Sequence, residues 1–140
     1  MLARQVAAPD KAGHNRRVGK SIDIGAYEYG AGAPGLLLLG TNGADALAAG
    51  ATNDIICGYG GDDSLAGAGH NDFIDGGKGG DELHGGSGKD RLFGGQGNDL
   101  LCAHDGEAGD LLDGGPGTDS YRADPGDIRI SLEQLGVCTP

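Results

Sequence analysis

Residues 76–101 read GGKGGDELHGGSGKDRLFGGQGNDLL. Glycine and aspartate crowd this stretch, and by composition alone it reads as turn or disorder. One large aliphatic residue nevertheless returns at a fixed step, at Leu83, Leu92 and Leu101, each two places after an aspartate: Asp81, Asp90 and Asp99.

The same phase extends outward from this stretch in both directions. Aspartate recurs every nine residues at Asp45, Asp54, Asp63, Asp72, Asp81, Asp90 and Asp99, and then at Asp110 and Asp119 after one step of eleven. With Asp at roughly one residue in eight, six successive hits at that step would arise by chance about once in 250,000, which sets aside a disordered Gly/Asp linker. Two places after each Asp stands Leu47, Ile56, Leu65, Ile74, Leu83, Leu92, Leu101, Leu112 or Tyr121. Glycine opens seven of the nine units and lies two before the Asp in six of them. The consensus is G-G-x-G-x-D-x-U-x, with U a large apolar residue.

Each x-U-x is a very short strand whose single apolar side chain points inward, because side chains alternate along a strand. The six residues before it must turn the chain, and glycine supplies the positive φ values that tight turns need. Two strands and two turns then close one flattened coil of eighteen residues. Unit i stacks on unit i+2 at the ~4.8 Å spacing of neighbouring strands. The expected fold is all-β: a right-handed parallel β-roll, or β-solenoid, of about nine nonapeptide repeats with two per coil.

The repeat closely resembles the haemolysin-type calcium-binding nonapeptide of the RTX (repeats-in-toxin) family. The resemblance covers about residues 36–127. Stacking would place Asp45, Asp63, Asp81 and Asp99 in one column and Asp54, Asp72 and Asp90 in the other, with Asp119 and Asp110 continuing them past the longer step. Unpaired carboxylate columns repel and oppose folding. A hard divalent cation between turns reverses that interaction, and calcium accepts six to eight oxygens in tolerant geometry, whereas magnesium demands an octahedron. The resemblance implies calcium shared between turns i and i+2, which gives several Ca2+ ions, at most about seven. It makes all nine of these aspartates metal ligands. With so thin an apolar filling, the metal-free chain is expected to be largely unfolded and the calcium-bound chain folded.

The pattern frays in two places. Turn position four is Thr52 in the second unit and His70 in the fourth, where a side chain strains a left-handed turn; Asn53 and Asn71 beside them tolerate that conformation. Calcium is expected to be least secure at these two turns. Between Asp99 and Asp110 the segment LLCAHDGEAG is two residues too long, a bulged turn with Asp105 or Glu107 as alternative ligands.

The flanks carry less information. Residues 1–30, with Arg16–Arg17 and SIDIGAYEYG at 21–30, resemble the closing motif of larger right-handed parallel β-helix proteins. They are expected to be the tail of such an upstream domain or a plain extension with a docking strand. Residues 31–35 read as a linker, Leu36–Leu39 as the strand that enters the roll, and 128–140 as a capping segment in which Ile128, Ile130 and Leu132 alternate.

The chain has 140 residues, 31 of them glycine, and a net charge of −11. Residues 40–122 carry fifteen acidic side chains against four basic ones, so the acidic excess sits in the repeats. Such a face suits cations and excludes nucleic acid, whose phosphates need a basic surface. No stretch is long and apolar enough to span a membrane, and no membrane insertion is expected. Met1–Ala8 shows no signal-peptide pattern. Cys57 and Cys102 are five units apart and so fall on opposite faces, too far for a bridge; any disulfide should use Cys138, and two packed thiols are the alternative.

No enzyme signature is present: H-E-x-x-H is absent, the histidines are scattered, and Gly88–Lys89 is followed by Asp90 rather than Ser or Thr. Three readings of the function remain. The roll is a calcium-dependent folding module of a secreted, extracellular protein, a calcium-stiffened spacer of a surface β-helix protein, or the non-catalytic tail of a secreted hydrolase.

Overall fold

A computed structural model describes residues 17–18, 21–23 and 35–138, the first five of these by backbone only. The expected extension and linker therefore lie outside the described residues, except for these five and Gly35. Every element among the described residues is a strand. They are β1 (Arg17–Val18), β2 (Ser21–Asp23), β3 (Leu36–Leu39), β4 (Ala46–Ala48), β5 (Ile55–Cys57), β6 (Ser64–Gly69) and β7 (Phe73–Lys78). Beyond these follow β8 (Glu82–Ser87), β9 (Arg91–Gln96), β10 (Leu100–Ala103), β11 (Leu111–Asp113), β12 (Ser120–Ala123), β13 (Ile128–Ile130) and β14 (Gln134–Leu135).

From β3 onward the odd strands form one parallel sheet and the even strands the other, in the orders β3-β5-β7-β9-β11-β13 and β4-β6-β8-β10-β12-β14. The chain thus alternates between two sheets, one strand per nonapeptide, as a β-solenoid. The register follows the repeat: Ile56 faces Ile74, and Leu65 faces Leu83. After the eleven-residue step Leu92 faces Leu112, and Leu101 faces Tyr121. The two extra residues are absorbed in the turn, and the inward phase is kept.

The nine repeats account for β4 to β12. The stack itself has six strands on each side, because β3, β13 and β14 add half-coils at its ends. It is therefore longer than the nine repeats alone, at about six coils. On its first edge β2 pairs antiparallel with β3, and β1 antiparallel with β2.

Ile56, Leu65, Ile74, Leu83, Leu92, Leu101 and Leu112 are all fully buried, at 0% exposure, and Leu38 and Leu47 extend the same row. Each such side chain contributes about 1.5–3 kcal/mol of hydrophobic stabilisation. The row is only one residue deep on each sheet, since glycines occupy most of the turns. Outside, the odd-strand sheet carries a more apolar surface: Phe73 and Phe93 stack with ring centroids 5.2 Å apart.

At the far end the register overrides the sequence alternation. Ile128 N–H bonds to Asp110 O at 2.8 Å, which sets Arg129 opposite Leu112. Arg129 takes the register position of the inward row but is itself exposed at this end of the stack, its guanidinium 5.7 Å from the Tyr121 ring centroid. Ile128 and Ile130 face outward, 59% and 44% exposed. A disulfide joins Cys102 to Cys138, with Cα atoms 5.9 Å apart, and Cys57 is a free thiol in the opposite sheet.

Candidate calcium-binding turns

The turns have one recurring backbone shape. Positions two and four take left-handed φ: Gly77 at 103° and Gly79 at 125°, Gly86 at 100° and Gly88 at 130°, Gly95 at 104° and Gly97 at 134°. Where the repeat lacks glycine, other residues are forced into the same conformation, namely Tyr59 (76°), Ala68 (86°) and His70 (76°). A β-carbon there costs roughly 1–2 kcal/mol. Thr52 escapes it; its hydroxyl instead donates to Asp54 Oδ1 at 2.6 Å. Asn53 and Asn71 relieve the frayed turns differently from expectation, by bonding and not by adopting left-handed backbone. Asn53 Oδ1 accepts Asn71 N–H at 3.0 Å, and Asn71 Oδ1 accepts Lys89 N–H at 2.9 Å. The opposite edge repeats this arrangement, with Asp62 Oδ1 accepting Gly80 N–H and Asn98 Oδ1 accepting Thr118 N–H.

The repeat aspartates point into the stack. Asp45, Asp54, Asp63, Asp72, Asp81, Asp90, Asp99, Asp110 and Asp119 are all buried, none more than 7% exposed. Each Oδ1 from Asp63 onward accepts the backbone N–H of the aspartate one coil earlier. Asp54 N–H bonds to Asp72, Asp63 to Asp81, Asp72 to Asp90 and Asp81 to Asp99, all at 2.8 Å. Past the long step the same bond spans twenty residues, from Asp90 N–H to Asp110 Oδ1 at 2.7 Å and from Asp99 N–H to Asp119 Oδ1 at 2.8 Å. Two columns of carboxylates result, one along each edge.

The second oxygen is the informative one. Oδ2 of Asp72, Asp81, Asp90, Asp99, Asp110 and Asp119 is buried and meets no hydrogen-bond donor. Leaving a buried carboxylate oxygen unsatisfied costs about 1–3 kcal/mol or more. A carbonyl of the next coil approaches the same place. A Cβ on Gly76 would stand 2.6 Å from Gly94 O and closer still to Asp81 Oδ2; one on Gly94 would stand 2.7 Å from Gly114 O and closer still to Asp99 Oδ2. The position-one glycine is bare because two oxygens from different coils converge over its Cα.

Burial pushes these carboxyls up, and the neighbouring carboxylates in the column add to the push against the N–H bonds that favour ionisation. Asp72 rises to about 7, with Asp90 and Asp54 as its charged neighbours, and Asp81, Asp99 and Asp110 rise to about 6. Asp90 and Asp119 are raised by the same burial. Such a site favours a proton or a cation over the bare anion.

Asp45 and Asp54, at the first turns, are better satisfied. Thr41 donates to Asp45 Oδ2 from its hydroxyl at 2.9 Å. Asp54 Oδ1 receives Leu36 N–H at 2.7 Å, and its Oδ2 receives Gly50 N–H at 3.2 Å.

Two further acidic residues continue the columns and break the nonapeptide spacing, and a third, Asp124, lies beside them. Asp127 Oδ1 accepts the N–H of Gly109 and, at 3.2 Å, of Asp110, extending one column by a step of seventeen. Glu133 Oε2 accepts Asp119 N–H at 2.8 Å, ending the other by a step of fourteen. Asp124 binds Gly106 N–H at 2.7 Å and the His104 ring at 2.6 Å, and the Gly106 bond leads in holding its carboxyl below the usual range. The only sequence signal for them was their excess of carboxylates in a segment that still had to cap two acidic columns. Of the two alternatives in the bulged turn, Asp105 is half-buried and accepts Gly88 N–H at 3.1 Å, and Glu107 is exposed.

Among the described residues no three His, Cys, Asp or Glu side chains converge as a metal-binding group, so zinc-type coordination by side chains alone is not built here. One carboxylate per turn with carbonyls of the next coil is an all-oxygen donor set, the kind calcium takes. Fold and turns together define a parallel β-roll with oxygen-lined turns between its coils. Residues 39–69 and 67–101 match the RTX calcium-binding nonapeptide repeat, in four copies, a span that holds the repeats from Asp45 to Asp99. No curated protein and no solved structure matches the chain. Among the described residues no helix is long and apolar enough to cross a membrane.

Proposed function

We propose that the chain is a calcium-dependent folding module of a secreted protein, non-catalytic in itself. The repeat aspartates hold calcium through Oδ2, together with backbone carbonyls of the adjoining coil. The observation that carries this reading is the row of buried, donor-less Oδ2 atoms beside those carbonyls. In calcium-poor surroundings the columns stay charged and uncompensated, and the thin apolar row does not offset their repulsion. In calcium-rich surroundings each ion joins two coils, and folding and binding become one event. Export in an unfolded state followed by folding outside the cell would use that difference.

The six aspartates from Asp72 to Asp119 are the principal ligands in this reading. Asp45 and Asp54 contribute less, because Thr41, Thr52, Leu36 and Gly50 already donate to them. Several ions, up to about seven, bind cooperatively. Equilibrium dialysis against radioactive calcium tests the count. Several ions per chain, reduced in number by Asp81→Asn together with Asp99→Asn, support the assignment. A count of one or none, or a count indifferent to the double substitution, refutes it.

A further inference from the structure

Cys102 lies in β10, inside the six-stranded sheet, and is 5% exposed. Its neighbours in register are His84 and Arg122. Its disulfide partner Cys138 ends the strap 131–138, which carries β14. Besides the bridge, the strap is held by the short pairing of β14 with β12 and by Leu132, which packs against the apolar row. Leu135 and Val137 are each 79% exposed. Its backbone anchors are Gly136 N–H to Tyr121 O at 2.8 Å and the Glu133 and Gln134 N–H groups to Asp119 O, both at 3.0 Å. A two-residue edge strand with Leu132 as its one apolar side chain on the core is the kind of element that opens first. Yet this strap delivers Glu133 to the backbone N–H of Asp119, at the end of a carboxylate column whose Asp119 Oδ2 is buried without a donor.

We propose that the Cys102–Cys138 disulfide is a redox latch: it fixes the strap and Glu133 across the last coils, so that the roll's calcium affinity depends on whether the bridge is closed. The inference rests on the calcium-coupled folding proposed above. Closing the bridge removes two protons and two electrons from the thiols and passes them to a small-molecule disulfide, which leaves as two thiols. A dithiol reverses the reaction and ends as its cyclic disulfide. Reducing conditions coincide with low calcium inside a cell, and oxidising conditions prevail outside it, so one transfer sets both signals. Cys57 stands in the other sheet, apart from this pair, and burial followed by the nearby Asp75 pushes its thiol up.

The bridge closes a loop of 36 residues. Its constraint on the unfolded chain, shared among several cooperatively bound ions, shifts the calcium midpoint by roughly threefold. The test uses the full chain with Cys57→Ser, titrated with calcium by circular dichroism, oxidised and in dithiothreitol, beside a Cys102→Ser/Cys138→Ser variant. Amide hydrogen exchange is followed at saturating calcium. The latch predicts a roughly threefold higher midpoint on reduction and a double variant that behaves as reduced under both conditions. It also predicts faster exchange at 120–136, with exchange at 55–96 unchanged. A calcium response whose midpoint is the same in both redox states overturns the latch alone. No calcium response in either state overturns the calcium reading and this proposal with it.

Discussion

Asp72 reaches back one coil to accept the backbone N–H of Asp54 through Oδ1 at 2.8 Å, while its own Oδ2 lies buried without a donor. One half of the carboxylate is thus committed to stacking, and the other half is left for something the chain does not supply. The same division recurs at Asp81, Asp90, Asp99, Asp110 and Asp119.

Asp81→Asn separates the two halves. The amide oxygen can still accept Asp63 N–H, but the charge is gone. Calcium titration of the variant should show a midpoint raised roughly three- to tenfold, with lower cooperativity. An Asp62→Asn variant, altering a turn residue whose Oδ1 accepts only Gly80 N–H at the surface, should leave the midpoint within about twofold of wild type.

Acid should act on the metal-free chain in the opposite sense from its effect on most proteins. The folded-state values of Asp72, at about 7, and of Asp81, Asp99 and Asp110, at about 6, lie above the unfolded carboxyl value. The folded state therefore binds more protons between roughly pH 4 and pH 7, and its stability rises as pH falls through that window. Metal-free chain in EDTA should gain β signal on acidification from pH 7.5 to 4.5. Calcium affinity should fall as pH drops below these values, by at most about tenfold per unit pH for each carboxyl that must lose its proton. A metal-free chain that becomes less structured in acid would show that the column charges are not what prevents its folding.

Gly76 and Gly50 should respond very differently to alanine. At Gly76 a Cβ would stand 2.6 Å from Gly94 O and overlap Asp81 Oδ2, whereas at Gly50 nothing lies within 4 Å. Chemical denaturation in saturating calcium should give a loss of about 3 kcal/mol or more for Gly76→Ala and a change within about 0.5 kcal/mol for Gly50→Ala.

The left-handed residues offer the converse experiment. His70→Gly and Ala68→Gly remove a β-carbon from φ values of 76° and 86°. Each should stabilise the calcium-bound roll by about 1 kcal/mol, the relieved strain exceeding the extra freedom glycine gives the unfolded chain. Thermal melting in saturating calcium checks this, and an unchanged or lowered Tm would mean that those side chains contribute contacts outweighing the strain.

The spacing of nine made the interior legible, because one period fixes both which residue points inward and which aspartate stacks on which. Leu65 over Leu83 and Asp72 over Asp54 follow from that arithmetic alone. The ends did not follow. Asp127 and Glu133 take column positions at steps of seventeen and fourteen, where hydrogen bonds to Asp110 and Asp119 decide the register. The alternation of Ile128, Ile130 and Leu132 marks a capping segment, but it does not show that the backbone bond at Ile128 sets Arg129, and not an isoleucine, in register with Leu112. Tyr59 and Ala68 stand at the turn's second position, and only the backbone shape reveals that this position is as left-handed as the fourth. Convergence of Gly94 O and Asp81 Oδ2 over Gly76 needed three dimensions, since those residues belong to different coils.

The most direct test of calcium-coupled folding is far-UV circular dichroism of an EDTA-stripped sample titrated with calcium, with magnesium in parallel. Calcium-coupled folding predicts a largely unstructured starting spectrum, a cooperative gain of β signal with calcium, and no such gain with magnesium at the same concentrations. A chain already rich in β structure in EDTA, with a spectrum that calcium leaves unchanged, would contradict it.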